Sequence, residues 1–253
     1  MLWRAYGGQA LIYSASVLGI LGAHEMGHYI ACRRYDVDAT LPYFLPFYVP
    51  GTPLAGTLGA VIRIREAFPT RAALFDVAIA GPIAGFVVLV PLLFVGMHFS
   101  SVLPVPAAMH GWTLGEPLLF RLATWLQFGH IPKGYDVNIH PIVFAAWFGM
   151  LATWWNLLPF GQLDGGHLTY AVLGDRSRFF SIATAAGSVV MCFITYNYVL
   201  MTVIMLAMLF FFGPRHPRVL AEHEPLGTGR RVLFILAIVM FILCFTPVPM
   251  DPF

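Results

Sequence analysis

The chain has 253 residues, 14 of them Lys or Arg and 12 Asp or Glu; charged residues make up 10%, apolar ones 59%, and the mean hydropathy is +0.78. Soluble domains carry about 25% charged residues, so this composition excludes an ordinary cytosolic enzyme, a disordered chain and a collagen-like one, and indicates an integral membrane protein. The net charge of +2, with no run of basic residues, excludes a nucleic-acid partner.

A helix crosses a bilayer with about 20 mainly apolar residues. Six segments meet this pattern, at 8–31, 72–97, 141–160, 179–194, 198–212 and 231–245. The expected fold class is an all-α membrane protein of about six transmembrane helices, forming one domain over 1–253. Tyr196-Asn197 is a thin turn, so 179–212 reads either as two spans or as one long tilted helix. No small-x-small cleavage site follows the first segment, and it is expected to stay on the chain.

After the first span, 37–65 is rich in Pro and Gly and ends in Ala60-Val61-Ile62-Arg63-Ile64-Arg65, where apolar and basic residues alternate. This predicts a β-hairpin or small sheet at the cytoplasmic membrane face, or a loop with one edge strand. Residues 113–128 are apolar but interrupted by Glu116, Arg121 and Gln127, which suits an interfacial or re-entrant helix. No segment is long and polar enough for a PDZ domain. Cytoplasmic loops collect Lys and Arg. Arg33, Arg34, Arg63, Arg65, Arg71, Arg176, Arg178, Arg215, Arg218, Arg230 and Arg231 all fall on one side of the six-span map, leaving Arg4, Arg121 and Lys133 on the other. That asymmetry predicts both termini outside. Cys32, Cys192 and Cys244 are scattered and read as small apolar residues.

Ionisable residues inside spans are costly and mark function. The first span holds His24-Glu25-Met26-Gly27-His28, an HExxH motif. A chain with 9 histidines and this composition would match it by chance roughly 0.006 times. On a helix both imidazoles share one face and reach one zinc ion, and Glu25 is placed to take a proton from metal-bound water. A catalytic zinc wants a third protein ligand. Asp164 is the candidate, in Asn156-Leu157-Leu158-Pro159-Phe160-Gly161-Gln162-Leu163-Asp164-Gly165-Gly166-His167. The charge map puts it at the same depth as HExxH. Gly165-Gly166 remove side chains beside the carboxylate, so another backbone can come close. Asp76 reads as a helix-start acid or an ion-pair partner. His140 reads as an interfacial histidine, and His167 either as a hydrogen-bond partner of the ligand or substrate or as a helix cap. Gly81, Pro82 and Gly85 read as close-packing residues first and a wall of the substrate path second. His216 and His223 lie in a Pro-rich loop that supports no metal role.

These motifs resemble the site-2 protease family of intramembrane zinc metalloproteases, in particular its bacterial and plastid members. Besides HExxH and the N-x-x-P-x-x-x-x-D-G-G stretch, Gly56-Thr57-Leu58-Gly59, Phe75-Asp76, Ala80-Gly81-Pro82-Ile83-Ala84-Gly85 and Thr246-Pro247-Val248-Pro249 are similar to family segments. The resemblance implies that His24, His28 and Asp164 bind one zinc, that Glu25 is the general base, and that Asn156 holds the substrate or its oxyanion. It implies cleavage of transmembrane or signal-peptide substrates, and a bacterial inner membrane with the site near the cytoplasmic face. The strand around Gly56, Thr57, Gly59 and Val61 offers an unpaired edge to an unwound substrate. A metal transporter or sensor would use the same cluster, but transport strings ligands along a path, whereas these gather at one depth. A silent scaffold would have no need of Glu25.

Overall fold

The computed structural model describes residues 2–46, 57–105, 112–213, 216, 219–221 and 226–252. Among these residues eight α-helices run in chain order: α1 (Leu2–Arg34), α2 (Arg71–His98), α3 (Leu118–Phe128), α4 (Pro141–Asn156), α5 (Asp164–Leu173), α6 (Ser177–Cys192), α7 (Tyr198–Phe212) and α8 (Thr228–Cys244). Helices α1, α2, α4, α6, α7 and α8 lie on the six apolar segments. The 179–212 ambiguity resolves as two helices, because the chain turns at 193–197 between α6 and α7. Among the described residues, one helix, α2, is long and apolar enough by itself to cross a membrane.

Among the described residues six short strands form three antiparallel pairs: β1 (Tyr43–Pro46) with β2 (Thr57–Val61), β3 (Ser101–Pro104) with β5 (Tyr135–Asn138), and β4 (Trp112–Leu114) with β6 (Met250–Pro252). The segment after β2 leads into the start of α2 and β3 follows its end, with a helix about 42 Å long between them. At the β3 end, Gly115 N–H donates to Pro249 O and Trp147 Nε1–H to Gly115 O, tying the C-terminal segment to α4.

Helix α2 is the hub. Thr70 caps it by accepting from Ala73 N–H at 3.0 Å. Its Leu89, Leu93 and Met97 pack with Trp147, Met150 and Trp154 of α4 and with Met201 and Met205 of α7. Nearer its start, Leu74, Phe75 and Ala78 meet Leu168 and Tyr170 of α5 and Met240 of α8. Asp76 is the ion-pair partner that one of its two readings predicted. Arg230 holds it with two hydrogen bonds of 2.7 and 2.8 Å, and Tyr35 donates its hydroxyl to the same carboxylate. Burial, reinforced by that hydrogen bond, raises the Tyr35 phenol above its usual range. This knot joins the end of α1 to the starts of α2 and α8.

The β1–β2 hairpin packs against α1 and α4. Pairing continues below it through Thr40 N–H to Arg63 O and Arg65 N–H to Asp38 O, both 3.0 Å. Ala60 packs with Val17 and Leu21 of α1 and Ala145 of α4. Leu21 and Val17 lie one and two turns beyond Glu25, roughly 6 and 12 Å along α1. Small side chains such as Ala60 permit this insertion between helices.

Candidate metal centre

His24 and His28 sit one turn apart on α1 and are 5% and 7% exposed. Asp164 opens α5, with its side chain 14% exposed. The three donor atoms meet. His24 Nε2 is 3.1 Å from both His28 Nε2 and Asp164 Oδ2, and His28 Nε2 is 3.3 Å from Asp164 Oδ1. A tetrahedral zinc with bonds of about 2.0–2.1 Å has ligand-to-ligand edges of about 3.3 Å. Two imidazoles and one carboxylate at this spacing therefore fit a zinc ion. Three protein ligands would also leave a position for water.

The surroundings hold these side chains in place. His28 Nδ1–H donates to Val77 O at 2.8 Å, which fixes the tautomer and leaves Nε2 as the donor atom for metal. Gly81 is needed because a Cβ there would stand 2.1 Å from His28 Nε2. The first of the two readings of Gly81, close packing, is what this contact shows, directly against the His28 ring.

Asp164 reaches the cluster through a folded turn. Pro159 blocks any continuation of α4, and 157–163 loop back with Gly161 at φ 52°. A Cβ on Gly165 would lie 2.1 Å from Leu157 O, and one on Gly166 2.4 Å from Gly161 O. The close backbone expected beside the two glycines is this turn.

A cavity of about 240 Å³ adjoins the cluster and is bordered by Glu25, Asn156, His167 and the 60–62 strand end. Ile62 N–H donates to Glu25 Oε2 at 3.1 Å. Since Arg63 bonds toward Thr40, the neighbouring Ile62 N–H points from the opposite strand edge. That edge faces the glutamate. Val61 lines the cavity, Thr57 and Gly59 belong to β2, and Gly56 is outside the described residues. His140 caps α4, its Nδ1 accepting from Ile142 N–H.

His167 is hydrogen-bonded through Nδ1 to His216 Nε2, and His216 stacks on Tyr170 at 4.4 Å. Burial, aided by His216, pushes the His167 imidazole down to about 3 and keeps it neutral. His216 is the residue that sequence reasoning missed. Its loop also pairs with the segment leading into α2, Leu220 and Ala221 N–H donating to Phe68 and Pro69 O. A lone histidine in a polar loop carries no periodic signal, so nothing in the sequence pointed to this contact. His223 lies outside the described residues.

The family model of peptidase family M50 matches residues 12–197. "Probable zinc metalloprotease EGY1, chloroplastic" of Arabidopsis thaliana is 32% identical over 175 residues, covering 66% of this chain and 30% of the relative. "Probable zinc metalloprotease EGY2, chloroplastic" of Oryza sativa subsp. japonica is 34% identical over 182 residues, covering 68% and 31%. "DDT domain-containing protein PTM" of Arabidopsis thaliana is 30% identical over 134 residues, covering 50% of this chain and 8% of the relative. The chain thus matches about 30% of the length of the zinc metalloprotease relatives named here. No solved structure matches it.

Proposed function

The chain belongs to peptidase family M50, the site-2 protease family, and from that premise we propose a membrane-embedded zinc endopeptidase that cuts transmembrane or signal-peptide substrates. The observation that carries this reading is the convergence on one cavity of the His24, His28 and Asp164 donors, the Glu25 carboxylate and the strand edge whose Ile62 N–H meets that carboxylate. His24, His28 and Asp164 would hold the ion. Zinc supplies a Lewis acid that acidifies water and polarises a carbonyl.

The chain's own groups do the rest. Glu25 takes a proton from the attacking water as its oxygen bonds to the peptide carbon. The same carboxyl then returns the proton to the leaving nitrogen as the C–N bond breaks. Asn156, at the end of α4, donates its amide N–H to the carbonyl oxygen as that oxygen gains charge. A substrate helix has its peptide groups already hydrogen-bonded, so it must unwind to react. The outward edge at Ala60–Ile62 receives the unwound segment as an added strand.

We place the chain as one domain of about six spans, with both termini outside and the site toward the cytoplasmic face. The six apolar helices and the arginine asymmetry support this, and a bacterial inner membrane is the compartment proposed. The helices of 15 to 17 residues extend about 23–26 Å, a little short of a 30 Å hydrocarbon core; a thinned bilayer around the site accommodates them.

The test uses purified, zinc-loaded chain and a membrane-anchored reporter, with Ile62→Pro as the variant. Proline removes the outward N–H, and with it the hydrogen bond to Glu25, while leaving the bonds to β1 untouched. Cleavage should fall about 10-fold, the loss expected for a charge-assisted or strand hydrogen bond, with zinc content unchanged. An uncut reporter contradicts the protease reading, whereas undiminished cutting by Ile62→Pro contradicts only the strand's role.

A further inference from the structure

We propose a binding site for one anionic phospholipid in the groove between α5, α6 and α8, on the side of the Asp164 turn away from the catalytic cavity. An apolar cavity of about 300 Å³ lies there, walled by Leu168 and Leu173 of α5, Phe180 of α6, and Phe234, Ile238 and Phe241 of α8. Its floor is Leu157, Pro159 and Gly165, the backbone of the turn that presents Asp164. Phe180 and Ile238 are 47% and 45% exposed, so the groove opens sideways, toward the bilayer in a chain that spans one.

Its cytoplasmic end is cationic. Arg231 precedes Phe234 by three positions and Ile238 by seven, so all three share one face of α8. Arg176 stands three residues after Leu173 and four before Phe180, both of which line the groove. Arg176 and Arg231 are exposed, and neither makes an ion pair among the described residues. Arg176 and Arg231 stand at the starts of α6 and α8, where the positive ends of the helix dipoles add to their charge. An acyl chain suits the groove, and a headgroup phosphate suits its end. The two halves of the ligand match the two halves of the site. A protein helix would fill the groove but leave the arginines without anions. Because the floor is the Asp164 turn, a bound chain also braces the segment that carries that carboxylate.

The chain is reconstituted in nanodiscs of equimolar phosphatidylcholine and phosphatidylglycerol, extracted into mild detergent, and its retained lipid counted by native mass spectrometry. Phosphatidylglycerol should be retained several-fold over phosphatidylcholine, one molecule per chain. Arg176→Gln with Arg231→Gln should return the retained lipid to the bulk ratio, and Ile238→Trp, which fills the groove, should lower retention of both. Retention at the bulk ratio by the unaltered chain overturns the site. So does enrichment that survives both variants, or a dimer that Ile238→Trp dissolves. The readout is lipid mass, so it stands or falls apart from whether the chain is a protease.

Discussion

Glu25→Gln should lower the cleavage rate about a thousandfold, within the 10²–10⁴-fold range for losing a general acid–base group, while the protein keeps its zinc. The substitution preserves size and still offers an oxygen to Ile62 N–H. What it removes is the ability to accept a proton from water and return it to the leaving nitrogen. The three donor atoms of the cluster come from other residues, so metal analysis should give the same stoichiometry for variant and parent. Substrate affinity should change little, because the strand edge and Asn156 are untouched, and the loss should therefore appear in kcat rather than KM. Loss of zinc together with activity would show that Glu25 supports the metal site instead of the chemistry.

Gly81→Ala should cost nearly as much by a different route. The added Cβ would lie 2.1 Å from His28 Nε2 and 2.5 Å from two ring carbons. Neither side can yield easily. Gly81 is fixed by the α2 backbone, and His28 is tied to Val77 O. The ring must leave its place, and zinc affinity should fall about 100-fold or more, beyond the usual effect of disturbing a ligand's hydrogen-bond partners. Two controls grade the effect. At Gly85 the new atom would meet His24 Cβ at 3.2 Å, and at Gly19 it would meet nothing within 4 Å. Zinc titrations of the three alanine variants should rank Gly81 far below Gly85 and leave Gly19 like the parent. Equal affinities across the three would contradict the placement of His28 against α2.

Much of this architecture could be read from the chain because long apolar helices announce themselves by composition. Bounds for α2 and α7 follow directly from where polar residues interrupt apolar runs. HExxH and the aspartate stretch were legible because ionisable groups stand out in an apolar chain. What the sequence withheld was facing. Helices apolar all round carry no stripe to say which side meets which neighbour, so Gly81 read as a generic packing residue until its position against His28 was seen. The insertion of Ala60 between α1 and α4 was hidden for the same reason, since strand alternation gives two faces but not the depth of the strand. His216 reaches His167 across 49 residues, a contact that no local pattern encodes.

The most direct test is to reconstitute the zinc-loaded chain with a membrane-anchored reporter and locate the cut by mass spectrometry, with and without a zinc chelator. The account predicts new termini within the reporter's apolar segment, lost on chelation and restored by adding zinc. Cleavage confined to the reporter's water-exposed part, or cleavage indifferent to chelation, would contradict it.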